Sequence, residues 1–179
     1  ISNCVINPVE QVAGLKVVSE RLLALPSKFG SSTERALWRQ IFTTFPDLNI
    51  INDGAKGENI WPGVILPPSN ANQENTELYT VHPFRMYQFF KPNLSLAINT
   101  YKNRRFPCND GWCQDILDAA MLGIVDDASN MVVQRAENAK QGYKWRWNGF
   151  TGHFQDYEPS VDHLDFMRTA IHYMLIANN

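Results

Sequence analysis

VEQVAGLKVVSERLLALPSKFGSSTERALWRQIFTTFP, residues 9–46, decides the fold class. Val9, Val12, Ala13, Leu15, Val18, Leu22 and Leu25 recur at helical spacing, and Pro26, which lacks an amide hydrogen, closes the segment. Ser31 and Glu34 then stand in the order of a capping box. They open a second helix that carries Ala36, Leu37, Ile41, Phe42 and Phe45 as far as Pro46. A connection as short as PSKFGS predicts that the two helices fold back on each other antiparallel.

Downstream of this hairpin the helical period lapses between Asp47 and Thr76. Asn52-Asp53-Gly54, Trp61-Pro62-Gly63 and Pro67-Pro68 break the chain, and the apolar WPGVIL run predicts one or two short strands. Structureless connections of this length are uncommon in compact domains and are often functional. Helix is expected again over 77–90, with Pro83 in its first turns or at a kink, and over 94–105, where Arg104-Arg105 would sit favourably at a C-terminus. Further helices are expected over 112–124, then after a cap at Asp126 or Asp127, and over 162–177, where Leu164, Phe166, Met167, Ala170, Ile171, Met174 and Leu175 make an apolar stripe. About seven helices and little strand give an all-α chain of helical hairpins, residues 1–179 forming a single domain. No repeat consensus makes it an ordinary solenoid.

Composition narrows the function classes. Sixteen basic against 18 acidic residues leave a net charge of -2 with no basic stripe, which argues against a nucleic-acid partner. No apolar run is long enough to span a bilayer. Cys108 and Cys113 flank a tight turn and could bridge or stay reduced, while Cys4 would be left over. Asn93-Leu94-Ser95 is an N-glycosylation acceptor, compatible with a secreted or extracellular location. Ile1 in place of an initiator Met and the abrupt end IANN suggest a processed chain or a piece of a longer one.

Chemistry is expected in the run 145–163, WRWNGFTGHFQDYEPSVDH. It gathers Trp145, Trp147, Phe150, Phe154 and Tyr157 with Asp156, Glu158, Asp162, His153 and His163, and Gly149, Gly152 and Pro159 keep most of it out of regular structure. Other polar and aromatic groups precede or open helices: Asn75 with Glu77 and His82, and Trp112 with Gln114 and Asp115. Sugars suit this inventory, because aromatic faces meet the C–H faces of a pyranose, polar side chains meet its hydroxyls, and glycosidic cleavage takes two carboxyl groups. Each residue also has a plainer role. Asp156 can satisfy its own turn, Asp162 can cap the last helix, and His172 can be structural. The spacing of the histidines and carboxylates matches no zinc or EF-hand signature, so neither metal nor other cofactor is expected. A nucleophile elbow, a P-loop and a dinucleotide fingerprint are all absent.

Three segments in order, NTELYTVHPFRMY (75–87), GWCQDILDAAMLGIVDDA (111–128) and GHFQDYEPSVDHLDFMRTAIHYMLIAN (152–178), resemble the C-terminal part of six-hairpin glycosidases, most nearly glycoside hydrolase family 95 and its uncharacterised relatives. The resemblance implies an (α/α)6 toroid of which this chain would be roughly the last half. It also implies an inverting exo-glycosidase of the α-L-fucosidase or galactosidase type. Asp156 would be the general base, in an FQDYEP loop that lacks the family's following Gly-Asn pair. The acid Glu would lie upstream of this chain. Glu77, His82, Trp112, Gln114, Trp147 and His163 would shape the sugar pocket. The partners implied are carbohydrate and the remaining part of the polypeptide or a companion chain. The competing expectations are a non-catalytic, lectin-like carbohydrate-binding protein on the same scaffold and a helical interaction module with a flat apolar groove.

Overall fold

A computed structural model describes residues 5–64, 74–109, 113–138 and 161–176, with the backbone alone for 138 and 161–164. The described residues are mainly α-helical. Helices α1 (Val9–Ala24) and α2 (Ser32–Thr44) form the expected hairpin, and the Ser31–Glu34 capping box is present in both directions. The Arg35 guanidinium, in the first turn of α2, donates to the carbonyls of Leu23, Leu25 and Phe29, so it satisfies the C-terminal end of α1 and locks the connection. The inner face of α1 buries Val9, Val12, Ala13 and Val17, whereas α2 buries no residue fully.

Strand appears earlier than the WPGVIL run. Strands β1 (Ile50–Asn52) and β2 (Glu58–Ile60) pair antiparallel with Ile51 opposite Asn59, around a tight turn at Gly54–Lys56. The sheet edge is held to α3 (Leu94–Lys102) by the Ile60 amide, which donates to Thr100 Oγ1 at 2.9 Å. The expected helix over 77–90 does not form. A 3-10 turn, Thr76–Thr80, gives way to irregular chain, and the His82–Pro83 peptide bond is cis. Proline supplies no amide to a helix and disfavours helical geometry in the residue before it, so the apolar period of this stretch serves a folded-back loop instead.

Helix α4 (Asp115–Leu122) is the centre of the molecule, since all eight of its residues are buried. Helices α3, α5 (Val125–Asn138) and α6 (Val161–Leu175) pack around it, and the core joins Leu78, Val81, Ala97 and Tyr101 to Ile116, Leu117, Ala119, Met121 and Leu122. Helix α4 is shorter than expected at both ends, α5 begins at Val125, ahead of the expected cap, and α6 begins at Val161, so that Asp162 lies inside its first turn instead of capping it. Asp126 and Asp127 lie in the first turn of α5. Among the described residues no helix is long and apolar enough to cross a membrane. The turn out of α4 is a Schellman motif: the Gly123 and Ile124 amides donate to Ala120 and Ala119 carbonyls, with Gly123 at φ +74°. A Cβ there would stand 2.9 Å from the Phe89 ring. Gly123→Ala is therefore expected to cost about 1–2 kcal/mol, read by urea denaturation, from the left-handed backbone and the displaced ring together.

Candidate active site

Where the 3-10 turn meets the start of α4 the surface opens into a narrow cleft with room for about 20 Å³, lined by Glu74, Asn75, Tyr79, Gln114, Asp115, Asp118 and the Cys108–Cys113 pair. That pair is a disulfide, with Cα atoms 5.9 Å apart, which settles whether the two thiols bridge or stay reduced. It closes the chain on itself two residues before α4 begins.

Asp115 is the fixed charge of the cleft. Its carboxylate accepts from Arg104 Nε at 2.5 Å, from the Cys108 amide at 2.9 Å and from Asn75 Nδ2 at 3.1 Å. Asn75 also brackets Phe106, accepting from its amide and donating to its carbonyl, both at 2.9 Å. Arg104 in turn lies 3.9 Å from the centroid of the Tyr101 ring and donates to the Tyr101 carbonyl. Asp115 thus serves as an anchor rather than a free acid.

Asp118 is different. One turn further along α4 it is completely buried, and its Oδ1 has no hydrogen-bond partner among the described residues. Burial holds its carboxyl well above the ordinary range, and the neighbouring Asp115 charge adds to the effect against the opposing pull of Arg104. Glu77 behaves alike. It is 3% exposed, burial raises its pKa, its Oε1 accepts weakly from the Arg105 amide at 3.5 Å, and Oε2 has no partner among the described residues. The buried Tyr101 hydroxyl is the third such atom. Unpartnered buried polar atoms cost about 1–3 kcal/mol each, so three in one neighbourhood single it out. At the rim, Tyr79 donates to Glu74 Oε2 at 3.0 Å, and burial with that carboxylate pushes its phenol up to about 12.

Of the residues singled out in the sequence, Gln114 lines this cleft and Glu77 lies buried near it. His82 turns to α6, its ring edge-on to Phe166 at 6.1 Å, and burial followed by the Arg85 charge lowers its pKa. Asp156, Trp112 and Trp147 fall outside the described residues, and His163 lies in α6 with its side chain outside them. Asp118, Tyr79 and Glu74 are the cleft residues that sequence reasoning misses. The available signal is ILDAAML, a carboxylate inside an otherwise apolar run, because such a residue is almost never buried without a reason. Among the described residues no three His, Cys, Asp or Glu are grouped to hold a metal ion. No protein-family model, curated protein or solved structure matches the chain.

The ion-paired Asp115 and the buried Asp118 should part company on substitution. Asp115→Asn leaves the Arg104 charge buried without its counter-charge, and about 3–5 kcal/mol of stability is expected to go with it in denaturant titrations. Asp118 and Glu77 bind their protons more tightly in the folded chain than in the unfolded one. Their contribution is complete below the unfolded pKa and is lost as pH rises through the folded one, about 1.4 kcal/mol for each pH unit between the two. Asp118→Asn is accordingly expected to melt at or above the wild-type temperature at neutral pH, with the difference closing as pH falls toward about 4, where an unfolded Asp is itself protonated.

Proposed function

We propose that the chain carries the sugar-binding mouth of a glycosidic-bond-cleaving protein, built on part of an (α/α)6 ring of helical hairpins. The observation that supports this best is Asp118. It is a buried carboxyl biased toward its neutral form at the floor of a cleft whose walls present an amide (Gln114), a phenol (Tyr79) and a second carboxyl (Glu74). A glycosidase needs one carboxylic acid that keeps its proton near neutral pH to protonate the departing oxygen, and environment is the usual means of keeping it there. The acid expected upstream of this chain therefore has a candidate within it. In an inverting reaction a second carboxylate takes a proton from the attacking water on the opposite face of the sugar. That role is assigned to Asp156 on its sequence context, with Trp112, Trp147, His163, Glu77 and His82 as the surrounding groups.

A specific observation favours a second reading, in which a lectin-like protein binds carbohydrate on the same scaffold without cleaving it. Asp115, the other aspartate of the cleft, is spent on Arg104 and cannot serve as a base.

The deciding experiment incubates the full-length protein with a panel of fucosides, galactosides and plant and microbial oligosaccharides. Released sugar and its anomeric form would be followed by NMR. Hydrolysis with inversion is expected. Asp156→Asn and Asp118→Asn should each reduce turnover by about 10²–10⁴-fold while the thermal melt stays intact. Saturation-transfer binding without released sugar would select the lectin-like reading. Neither binding nor release across the panel would end both.

A further inference from the structure

The turn between the core loop and α3 carries a group that the cleft does not use. We propose that Asn93 bears an N-linked glycan whose first N-acetylhexosamine rests on the exposed ring of Phe90. The acceptor triplet is Asn93-Leu94-Ser95. Asn93 is exposed, sits at φ +59° at the N-cap of α3, and makes no side-chain capping bond there. Its backbone is satisfied, since its carbonyl accepts from the Leu96 amide at 3.1 Å. The carboxamide is thus presented to solvent by a turn that does not depend on it. Attachment joins the Asn93 amide nitrogen to the anomeric carbon of an isoprenoid-diphosphate oligosaccharide. The C1–O bond to the diphosphate breaks, the amide gives up one proton, and the lipid diphosphate leaves, with no change of oxidation state.

Two further observations point the same way. The Cys108–Cys113 disulfide belongs to an oxidising environment, where extracellular and lumenal proteins acquire both modifications. Phe90, three residues before the acceptor, is 64% exposed although it leans on Phe89 at a centroid distance of 4.2 Å. It lies in the same run of turns, QFFKPN, held by the Lys91 amide on the Gln88 carbonyl and by the Phe89 amide on the Met121 carbonyl, and Pro92 restricts the last step before Asn93. A large ring left in water by a rigid turn has a ready partner in the apolar C–H face of a sugar attached to that turn. Covering the ring would then repay its exposure.

The test begins with protein purified from its native source. Mass spectrometry of the peptide containing Asn93, before and after peptide N-glycosidase, should show a hexosamine-bearing form whose acceptor asparagine becomes an aspartate when the sugar is released. The control is Ser95→Ala, which removes the acceptor triplet but keeps Asn, a residue that tolerates positive φ; Asn93→Gln would confound loss of sugar with backbone strain. The glycosylated protein is expected to melt about 2–4 °C above Ser95→Ala. In a Phe90→Ala background that difference should vanish. An Asn93 peptide found wholly unmodified in protein whose Cys108–Cys113 bond is formed would overturn the proposal. A glycan whose stabilising effect survives Phe90→Ala would overturn the stacked arrangement.

Discussion

The carboxylate of Asp115 is the point on which the irregular part of the structure depends. Residues 74–75 and 103–109 have little regular hydrogen bonding of their own, yet they flank the core and frame the cleft. One acceptor group collects a guanidinium from Arg104, a backbone amide from Cys108 and a side-chain amide from Asn75, drawing segments up to 40 residues apart onto the first residue of α4. The position also suits the helix, because the first-turn amides and the macrodipole favour an anion. Buried ion pairs gain little over a hydrophobic replacement, but removal of one partner is costly, so the pair serves to specify geometry more than to add stability.

That same charge adds to what burial does to its neighbours. Arg104 is committed to Asp115, and the pull of the nearby cations on Asp118 and Glu77 does not outweigh their burial, while Asp115 itself pushes both toward neutrality. The interior around α4 therefore holds one compensated ion pair and two carboxyls whose pKa is raised by burial. The apolar packing of Ile116, Leu117 and Ala119, which excludes water from α4, is what raises the Asp118 pKa first, and the Asp115 charge adds to it.

The hairpin is legible in the sequence because its signals are local: a capping box, a stop at Pro26 and one-sided apolar spacing. Helix α6 is legible for the same reason, whereas α4 can be read as a helix but not as one buried on every face. The stretch 77–90 misleads because its apolar period is helical while Pro83 vetoes the helix, and single-sequence spacing does not weigh one against the other. The strands are displaced toward Ile50 and Ile60 because β1 and β2 are only three residues each and gain their place by pairing and by Thr100, a contact across 40 residues. Glu77 and Gln114 can be picked out as polar residues beside aromatic segments. Asp118 cannot be ranked that way, because its importance comes from full burial of α4 on every face, which depends on α3, α5 and α6 arriving around it.

The charge state of the cleft bears on what it is suited to hold. Asp115 is compensated by Arg104, Asp118 favours its neutral form, and the Glu74 carboxylate is engaged by the Tyr79 hydroxyl, which keeps its proton to about pH 12. A phenol donates a hydrogen bond to a carboxylate without cancelling its charge, so the rim stays acidic, while amide and phenol groups remain to give and accept hydrogen bonds. An oxyanion would meet carboxyl groups with the Arg104 guanidinium committed to Asp115. A neutral molecule bearing several hydroxyls makes no demand for net charge, and each hydroxyl can both donate and accept. Donors and acceptors side by side at one rim are the chemistry that the proposed sugar-binding role calls for.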